Sequence, residues 1–92
     1  MSITVTFFGQ LKHVVGAEAE RLEITGPTAL TDALATLAGR HGEDFARIVF
    51  DDARRVRPSL MVLVNGAVVA KGAAPTLKEG DEITLLPAIA GG

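Results

Sequence analysis

Hydrophobic and polar residues alternate over the first eight positions of the chain, and this alternation predicts a β-strand. Within residues 2–8, Ile3, Val5 and Phe7 fall on one face, while threonines and a second phenylalanine fall on the other. Alternation of β-branched and aromatic residues is typical of a half-buried strand. Residues 18–25 alternate again after a short connection, so we predict that the two segments form an antiparallel hairpin.

The apolar spacing changes to that of a helix after Gly26. The residues that share one helical face are Leu30, Leu34, Leu37 and Ala38. Recurrence at this spacing predicts an amphipathic helix that buries one face. Thr28 or Thr31 is the expected N-terminal cap, because a hydroxyl can accept a hydrogen bond from an early backbone N–H. Gly39 or Gly42 is the expected end of the helix.

The second half of the chain predicts further strands. Residues 60–64 are apolar without alternation, as expected of a strand with both faces at least partly covered. Asn65–Gly66 is typical of a type I′ hairpin turn, so residues 67–70 should return beside that strand. Residues 82–86 alternate once more. Residues 43–58 form either a second short helix or a packed loop.

The order of these elements is strand, strand, helix, strand, strand, strand, and it predicts an α+β fold. A right-handed crossover after the first hairpin places the first and last strands side by side and parallel at the sheet centre. A helix with one apolar face must lie across that sheet. We therefore predict a β-grasp (ubiquitin-like) domain, a mixed sheet of about five strands with one main helix packed across it.

The last six residues interrupt the alternation and end in two glycines. Pro87 has no N–H to donate to a sheet, so the strand is expected to end before it. Gly91 and Gly92 have no Cβ and can enter a narrow channel. We predict a domain of residues 1–86 and a flexible tail of residues 87–92, which reaches about 20 Å when extended. Its most reactive atom would be the carboxyl carbon of Gly92. At this point a frayed end without a function remains an alternative.

The composition of the chain excludes several classes of function. A chain of 92 residues is long enough for one hydrophobic core. The absence of cysteine excludes disulfides, zinc–thiolate sites, iron–sulfur clusters and a nucleophilic thiol. The net charge of −2 provides no basic field for nucleic acid or an anionic membrane. With no recognisable signal peptide, we expect a cytoplasmic protein with no nucleic-acid or membrane partner.

Other chemically capable side chains lack the partners that a site would need. His13 and His41 lie far apart in the sequence without further ligands, so we expect no metal site. Asp51–Asp52 has no visible acid–base partner and is expected in a solvated turn. The arginines within residues 54–57 are expected on a solvated face, with pairing to these aspartates or to an acidic partner as alternatives.

Three stretches resemble the MoaD/ThiS family of ubiquitin-like sulfur carriers, and together they cover nearly the whole chain. They are residues 3–16, the hairpin turn Val64-Asn65-Gly66, and residues 80–92, which run from Gly80-Asp81-Glu82-Ile83 into the terminal Gly-Gly. The last stretch is the most specific. The opening Phe7-Phe8-Gly9 resembles the small subunit of molybdopterin synthase.

The resemblance implies a reaction cycle in which this chain is a cosubstrate or non-catalytic subunit, without catalytic side chains or a bound cofactor. An E1-like enzyme of the MoeB/ThiF type would use ATP to adenylate Gly92. A desulfurase- or rhodanese-type donor would then form a thiocarboxylate. The expected acceptor is a MoaE-type large subunit in molybdenum cofactor biosynthesis. The alternatives are carriers for cysteine or thiamine biosynthesis, a modifier joined to lysines through Gly92, and a β-grasp binding domain with an inert tail.

Partner binding is expected on the outward face of the sheet. Phe8 and Leu86 share that face on neighbouring strands, and an exposed apolar pair beside the tail is typical of a docking surface. The alternative is that a loop of the same chain covers Phe8. Pro87 and Ile89 of the tail are also expected at the interface. The resemblance implies that Lys12 also lies near the interface. The alternative is that Lys12 is an ordinary surface lysine.

Overall fold

A computed structural model describes residues 1–88 of the protein, and within them it has seven strands and three helices. The strands are β1 (Ser2–Phe7), β2 (Ala19–Glu23), β3 (Thr28–Ala29), β4 (Leu60–Val64), β5 (Ala67–Val68), β6 (Thr76–Leu77) and β7 (Glu82–Pro87). The helices are α1 (Gly9–Val15), α2 (Leu30–His41) and α3 (Glu43–Val49). None of these helices is long and apolar enough to cross a membrane.

Five strands form one mixed sheet in the order β2-β1-β7-β4-β5. β1 pairs in parallel with β7, with Phe7 opposite Leu85, and antiparallel with β2. β4 pairs antiparallel with both β7 and β5. The first and last strands are therefore parallel neighbours at the centre of the sheet, and the predicted β-grasp fold is confirmed.

The core lies between one face of this sheet and α2. The inward residues of β1 and β7 are fully buried, as their alternation predicts: Ile3, Val5, Phe7, Ile83 and Leu85. The helix contributes Leu30, Ala33, Leu34 and Leu37. Burial of a large aliphatic or aromatic side chain stabilises a fold by about 1.5–3 kcal/mol, so these positions hold α2 across the sheet.

Two short helices form in segments for which the sequence pattern allows either a helix or a loop. The connection between the first two strands, for which the sequence allows a helical turn, contains α1, and the first half of residues 43–58 forms α3. Gly42, one of the two predicted stops, separates α2 from α3. A bridge between Phe50 and Val56 then closes the loop before β4. Each short helix has about two turns, too few for a 3.6-residue period to stand out in the sequence.

The start of α2 differs from the prediction. Ala29 occupies the N-cap position without a side-chain hydrogen bond, so neither Thr28 nor Thr31 caps the helix. Thr28 belongs instead to β3, which pairs with β6 in a separate two-stranded sheet. The amide of Leu30 donates to the carbonyl of Pro75 at 2.9 Å. The carbonyl of Pro75, in a loop distant in sequence, thus accepts a hydrogen bond from a helix amide that a capping hydroxyl could otherwise accept.

The hairpin between β4 and β5 has the predicted turn and an additional anchor. Asn65 and Gly66 both have positive φ, 51° and 84°, as a type I′ turn requires. The Asn65 side chain donates to Oδ1 of Asp81 at 3.0 Å and accepts from the amide of Glu82 at 2.9 Å. Asp81 also accepts from the amide of Lys78. These bonds join the hairpin to the start of β7.

β7 continues through Pro87, so the predicted end of the strand at Leu86 is one residue too early. Pro87 lies opposite Leu60, and the amide of Ala88 donates to the carbonyl of Ser59 at 3.0 Å. Successive amides of a strand point to opposite sides, so the nitrogen of Pro87 points away from β4. β1 has already ended at Phe7 on that side, and a residue without an N–H is tolerated there.

Candidate functional site

The root of the tail, Pro87 and Ala88, is held from two directions. β4 holds it through the hydrogen bond between Ala88 and Ser59. On the other side, Gly9 has φ +56°, and a Cβ built on it would lie 3.4 Å from Cγ of Pro87. That distance is an ordinary van der Waals contact, so the positive φ, rather than a lack of space, favours glycine where α1 begins beside the tail root. The predicted residues Ile89, Gly91 and Gly92 lie outside the described residues.

Phe8 and Leu86 lie next to this root. The amide of Phe8 donates to the carbonyl of Leu85 at 3.2 Å, which continues the ladder between β1 and β7 by one residue. The Phe8 side chain is 45% exposed, so residues 1–88 do not bury it, and Leu86 is half-buried. Met61 pairs with Leu86 and is 50% exposed.

Met61 was not predicted at the surface. The sequence predicts that both faces of residues 60–64 are at least partly covered, yet Leu60 and Val62 are buried whereas Met61 is exposed. Leu63, on the same face as Met61, pairs with Val68 of β5, which is 64% exposed. We call Phe8, Leu86, Met61, Leu63 and Val68 the outward apolar band. A band of this kind is typical of a surface that binds another protein.

The chain is similar in sequence and in fold to known proteins. The model of the ThiS family matches residues 5–92. The chain belongs to the ThiS family. It is 34% identical over 85 residues to small archaeal modifier protein 1 of Haloferax volcanii, over 92% of this chain and 94% of that protein.

Solved structures agree with this assignment. A crystal structure of the same Haloferax volcanii protein superposes with a TM-score of 0.85 at 33% identity and covers 100% of both chains. The crystal structure of the Amycolatopsis orientalis BexX/CysO complex gives a TM-score of 0.70 at 30% identity, over 98% of this chain and 99% of that one. The resemblance to ubiquitin-like carriers that the sequence indicated is therefore confirmed at the level of the family.

Lys12 of this ThiS-family chain lies on α1, and its amide is 3.5 Å from the carbonyl oxygen of Phe8. Its ammonium group pairs with Glu18 at 3.1 Å, and both side chains are exposed. Exposed ion pairs contribute little stability, so this pair would not prevent Lys12 from contacting a partner. The role of Lys12 at an interface stays a prediction.

His41 has a structural role in this member of the family. Its ring packs edge-on against Phe7, with centroids 6.1 Å apart, and beside Phe45 at 5.4 Å. Its Nε2 contacts Glu20, which also accepts from Arg40 at 2.6 Å. The side chain of Glu20 is only 18% exposed. The cluster ties the end of α2 to β2. In residues 1–88, no three His, Asp or Glu side chains are grouped to hold a metal ion.

Asp51 supports a loop rather than an acid–base site. Its Oδ1 accepts from the amides of Ala53 and Arg55, both at 2.9 Å. The nearby arginines do not use this carboxylate as an ion-pair partner within the described residues. Instead, Nε of Arg57 donates to the carbonyl of Arg47 at 2.7 Å, which ties the loop to α3.

Proposed function

We propose that this protein is a carrier whose Gly92 carboxylate is activated by an E1-like enzyme and then converted to a thiocarboxylate. The observation that carries the proposal is the outward apolar band beside the held tail root in a ThiS-family domain. The band supplies binding surface, and the tail presents the reacting group. ATP belongs to the activating enzyme, and the chain needs no cofactor of its own.

The chemistry requires no side chain of this protein. A carboxylate oxygen of Gly92 bonds to the α-phosphorus of ATP, and pyrophosphate leaves. The terminal sulfur of a persulfide on a desulfurase- or rhodanese-type donor then attacks the carboxyl carbon, and AMP leaves. A thiol cleaves the resulting acyl disulfide, so that the Gly92 thiocarboxylate is released and the thiol and the donor sulfur are oxidised to a disulfide. The protein contributes position, because placing reacting groups correctly accounts for a large part of a rate enhancement. We expect the cycle to take place in the cytoplasm.

The outward apolar band explains how so small a tail can be recognised. A stable interface buries about 800 Å² on each partner, far more than a few tail residues can offer. Binding energy concentrates in a few large apolar side chains near the interface centre. Phe8, Leu86 and Met61 lie on one face of the sheet next to the tail root and are the side chains to which we assign that role, with Pro87 at the margin.

For the sulfur acceptor, we propose a MoaE-type large subunit of molybdopterin synthase, on the resemblance of Phe7-Phe8-Gly9 to the small subunit. Carriers for cysteine or thiamine biosynthesis are the alternatives within this class. A second function has equal support, because the chain is 34% identical to a protein named as a modifier over 94% of its length. In that case the activated Gly92 carbon would be joined to Nζ of lysines on other proteins.

Mass spectrometry of the intact protein tests the proposal. The chain is incubated with the E1-like enzyme of the same cell, ATP and a sulfur donor. We expect a mass change equal to replacement of one oxygen by sulfur, confined to the C-terminal peptide. A chain without Gly92 is the control, because it is shorter by about 3.3 Å and should not react.

Three outcomes separate the candidate functions. Sulfur incorporation at Gly92 in the wild-type chain supports a carrier. If the chain is recovered from cells mainly as conjugates on the lysines of other proteins, the modifier function replaces it. If the chain without Gly92 gains sulfur at the wild-type rate, activation at this carboxylate is wrong.

A further inference from the structure

A groove of about 560 Å³ opens between α1 and α3, on the helical side of the tail root. Val14 of α1, Ile48 of α3 and Pro87 of β7 line it, and all three are half-buried. Ala88, the last described residue, also lines it. The groove therefore begins where the tail leaves the domain, and it is separate from the outward apolar band.

The rim of the groove is basic although the protein is acidic. His13, Arg47 and Arg57 line it, and among the described lining residues the acid is Asp44. That acid already pairs with Arg47 at 3.0 Å. The chain as a whole has a net charge of −2, so the excess of positive charge is local. Complementary charge would be supplied by carboxylates of a partner.

Arg57 is oriented for such a contact. Its Nε donates to the carbonyl of Arg47 at 2.7 Å, and the side chain is half-buried. The hydrogen bond uses one edge of the guanidinium group and fixes its plane. A guanidinium group that is already ordered loses less entropy when its remaining nitrogens bind a carboxylate. The groove thus combines an apolar lining with a positioned cation.

The length of the tail brings an enzyme close to the groove. Four residues beyond Ala88 span at most about 13 Å, less than the 20 Å expected when Pro87 was taken as the first residue of the arm. An enzyme that holds the carboxyl group of Gly92 in its active site must therefore come within that distance of Ala88. Its surface then faces the outward apolar band on one side of the root and the groove on the other.

We propose that the groove binds an acidic segment of the E1-like activating enzyme, with a carboxylate against Arg57 and Arg47 and an apolar neighbour against Val14 and Ile48. The inference rests on the proposed function, because it takes activation of Gly92 as given. Activation is the step that the carrier and the modifier functions share, so a surface that serves either function should fit this enzyme.

Kinetics of the activating enzyme test the inference. Arg47→Glu reverses an exposed charge on the rim, and we expect KM for this protein in ATP–pyrophosphate exchange to rise about tenfold with kcat unchanged. Lys78→Glu is the matched control. It makes the same charge change in the turn before β7, at the end of the strand opposite Pro87, with about 17 Å between Glu82 and Pro87, and should change KM less than about twofold.

Two further measurements separate binding from damage to the fold. Asp44→Asn removes the only acid that residues 1–88 place on the rim, so KM should fall about two- to threefold, a gain that disruption of the fold would not produce. At about 1 M salt, where charges are screened beyond about 3 Å, the difference between Arg47→Glu and wild type should largely disappear.

Equal KM values for Arg47→Glu and Lys78→Glu would overturn the inference and leave the proposed function intact. A wild-type chain that supports no pyrophosphate exchange would overturn both. A raised KM with kcat unchanged, together with the gain from Asp44→Asn, supports the groove as the binding site.

Discussion

At the residue scale, one side chain joins two distant parts of the sheet. Asn65 adopts a left-handed conformation in the hairpin turn and forms two side-chain hydrogen bonds, to Asp81 and to the amide of Glu82. The turn position favours Asn or Gly for steric reasons, but only Asn can also make these bonds. The residue therefore has a local role in the turn and a long-range role at the start of β7.

Substitution at Asn65 separates these two roles. Asn65→Ala should lower the free energy of unfolding by about 2–3 kcal/mol, because it loses both hydrogen bonds and strains the positive φ. Asn65→Gly loses the hydrogen bonds but not the backbone fit, so its loss should be smaller. Denaturant unfolding measures both values. Equal losses for Ala and Gly would mean that backbone strain contributes nothing at this position.

Asp81 should make the free energy of unfolding depend on pH in the acidic range. Donation from the Asn65 side chain, and then from the Lys78 amide, lowers the pKa of the Asp81 carboxyl below its ordinary value. Its contribution to stability is therefore complete above its unfolded pKa of about 3.9 and is lost as the pH falls through the lower folded pKa. We expect Asp81→Asn to be less stable than wild type at neutral pH and to lose less stability on acidification.

The measurement is urea unfolding of both proteins at about pH 6, pH 4 and pH 2.5. Glu79 also has a lowered pKa, because the Ser2 amide donates to it, and it affects wild type and variant alike. The difference between the two proteins therefore reports on Asp81. It should shrink as the pH falls, and a constant difference would contradict the assignment.

At the element scale, the last strand and the first helix together orient the tail. β7 extends to Pro87 because β1 ends at Phe7 and because β4 accepts the amide of Ala88. Gly9 at the start of α1 packs against the ring of Pro87. The tail root, Pro87 and Ala88, is thus held by contacts with a strand on one side and a helix on the other.

Gly9→Ala should therefore slow activation of Gly92. The positive φ adds about 1–2 kcal/mol of strain, and a backbone shift that relieves it would move the new Cβ, which starts in van der Waals contact with Pro87 at 3.4 Å, against the tail root. A displaced root misplaces the reacting carbon, and an error of about 1 Å can cost about a hundredfold in rate. We expect at least a several-fold lower kcat in pyrophosphate exchange.

Gly16→Ala is the matched control for this experiment. Gly16 also has a positive φ, 81°, but a Cβ there would have no atom within 4 Å. Both variants should lose similar stability by thermal unfolding, whereas only Gly9→Ala should lose activity. If the two variants lose equal activity, the cause is the backbone of α1 and not the contact with Pro87.

At the scale of the whole molecule, the two faces of the sheet have different roles. The inner face and α2 form the core, and the outer face carries the outward apolar band beside the tail. A small protein that exposes Phe8, Met61 and Val68 loses stabilisation that burial would give. A partner that covers the band would recover it, which is why we assign docking to this face.

Phe8→Asp tests that assignment. The substitution places a carboxylate in the proposed interface, where burial without a partner costs several kcal/mol, so affinity for the activating enzyme should fall at least about a hundredfold. The fold should remain intact because Phe8 is exposed. Thr4→Asp, at an exposed outward position of β1 farther from the tail, is the control. Calorimetric affinities that match wild type would contradict docking through Phe8.

Much of the architecture could be predicted from local patterns. The alternation in β1 and β7, the helical spacing of α2 and the Asn65–Gly66 turn each depend on neighbours within a few residues. Steric limits on backbone angles and the two periodicities of burial act at that range. The β-grasp order followed because a right-handed crossover leaves few ways to arrange these elements.

The tertiary structure alone decided the features that depend on distant partners. Met61 is exposed because no described element covers the outer face of β4, and Glu20 is half-buried because α2 brings Arg40 and His41 beside it. Pro87 remains in a strand because β1 has already ended next to it. In each case the residue type permits two environments, and the choice is made by contacts between residues far apart in the chain.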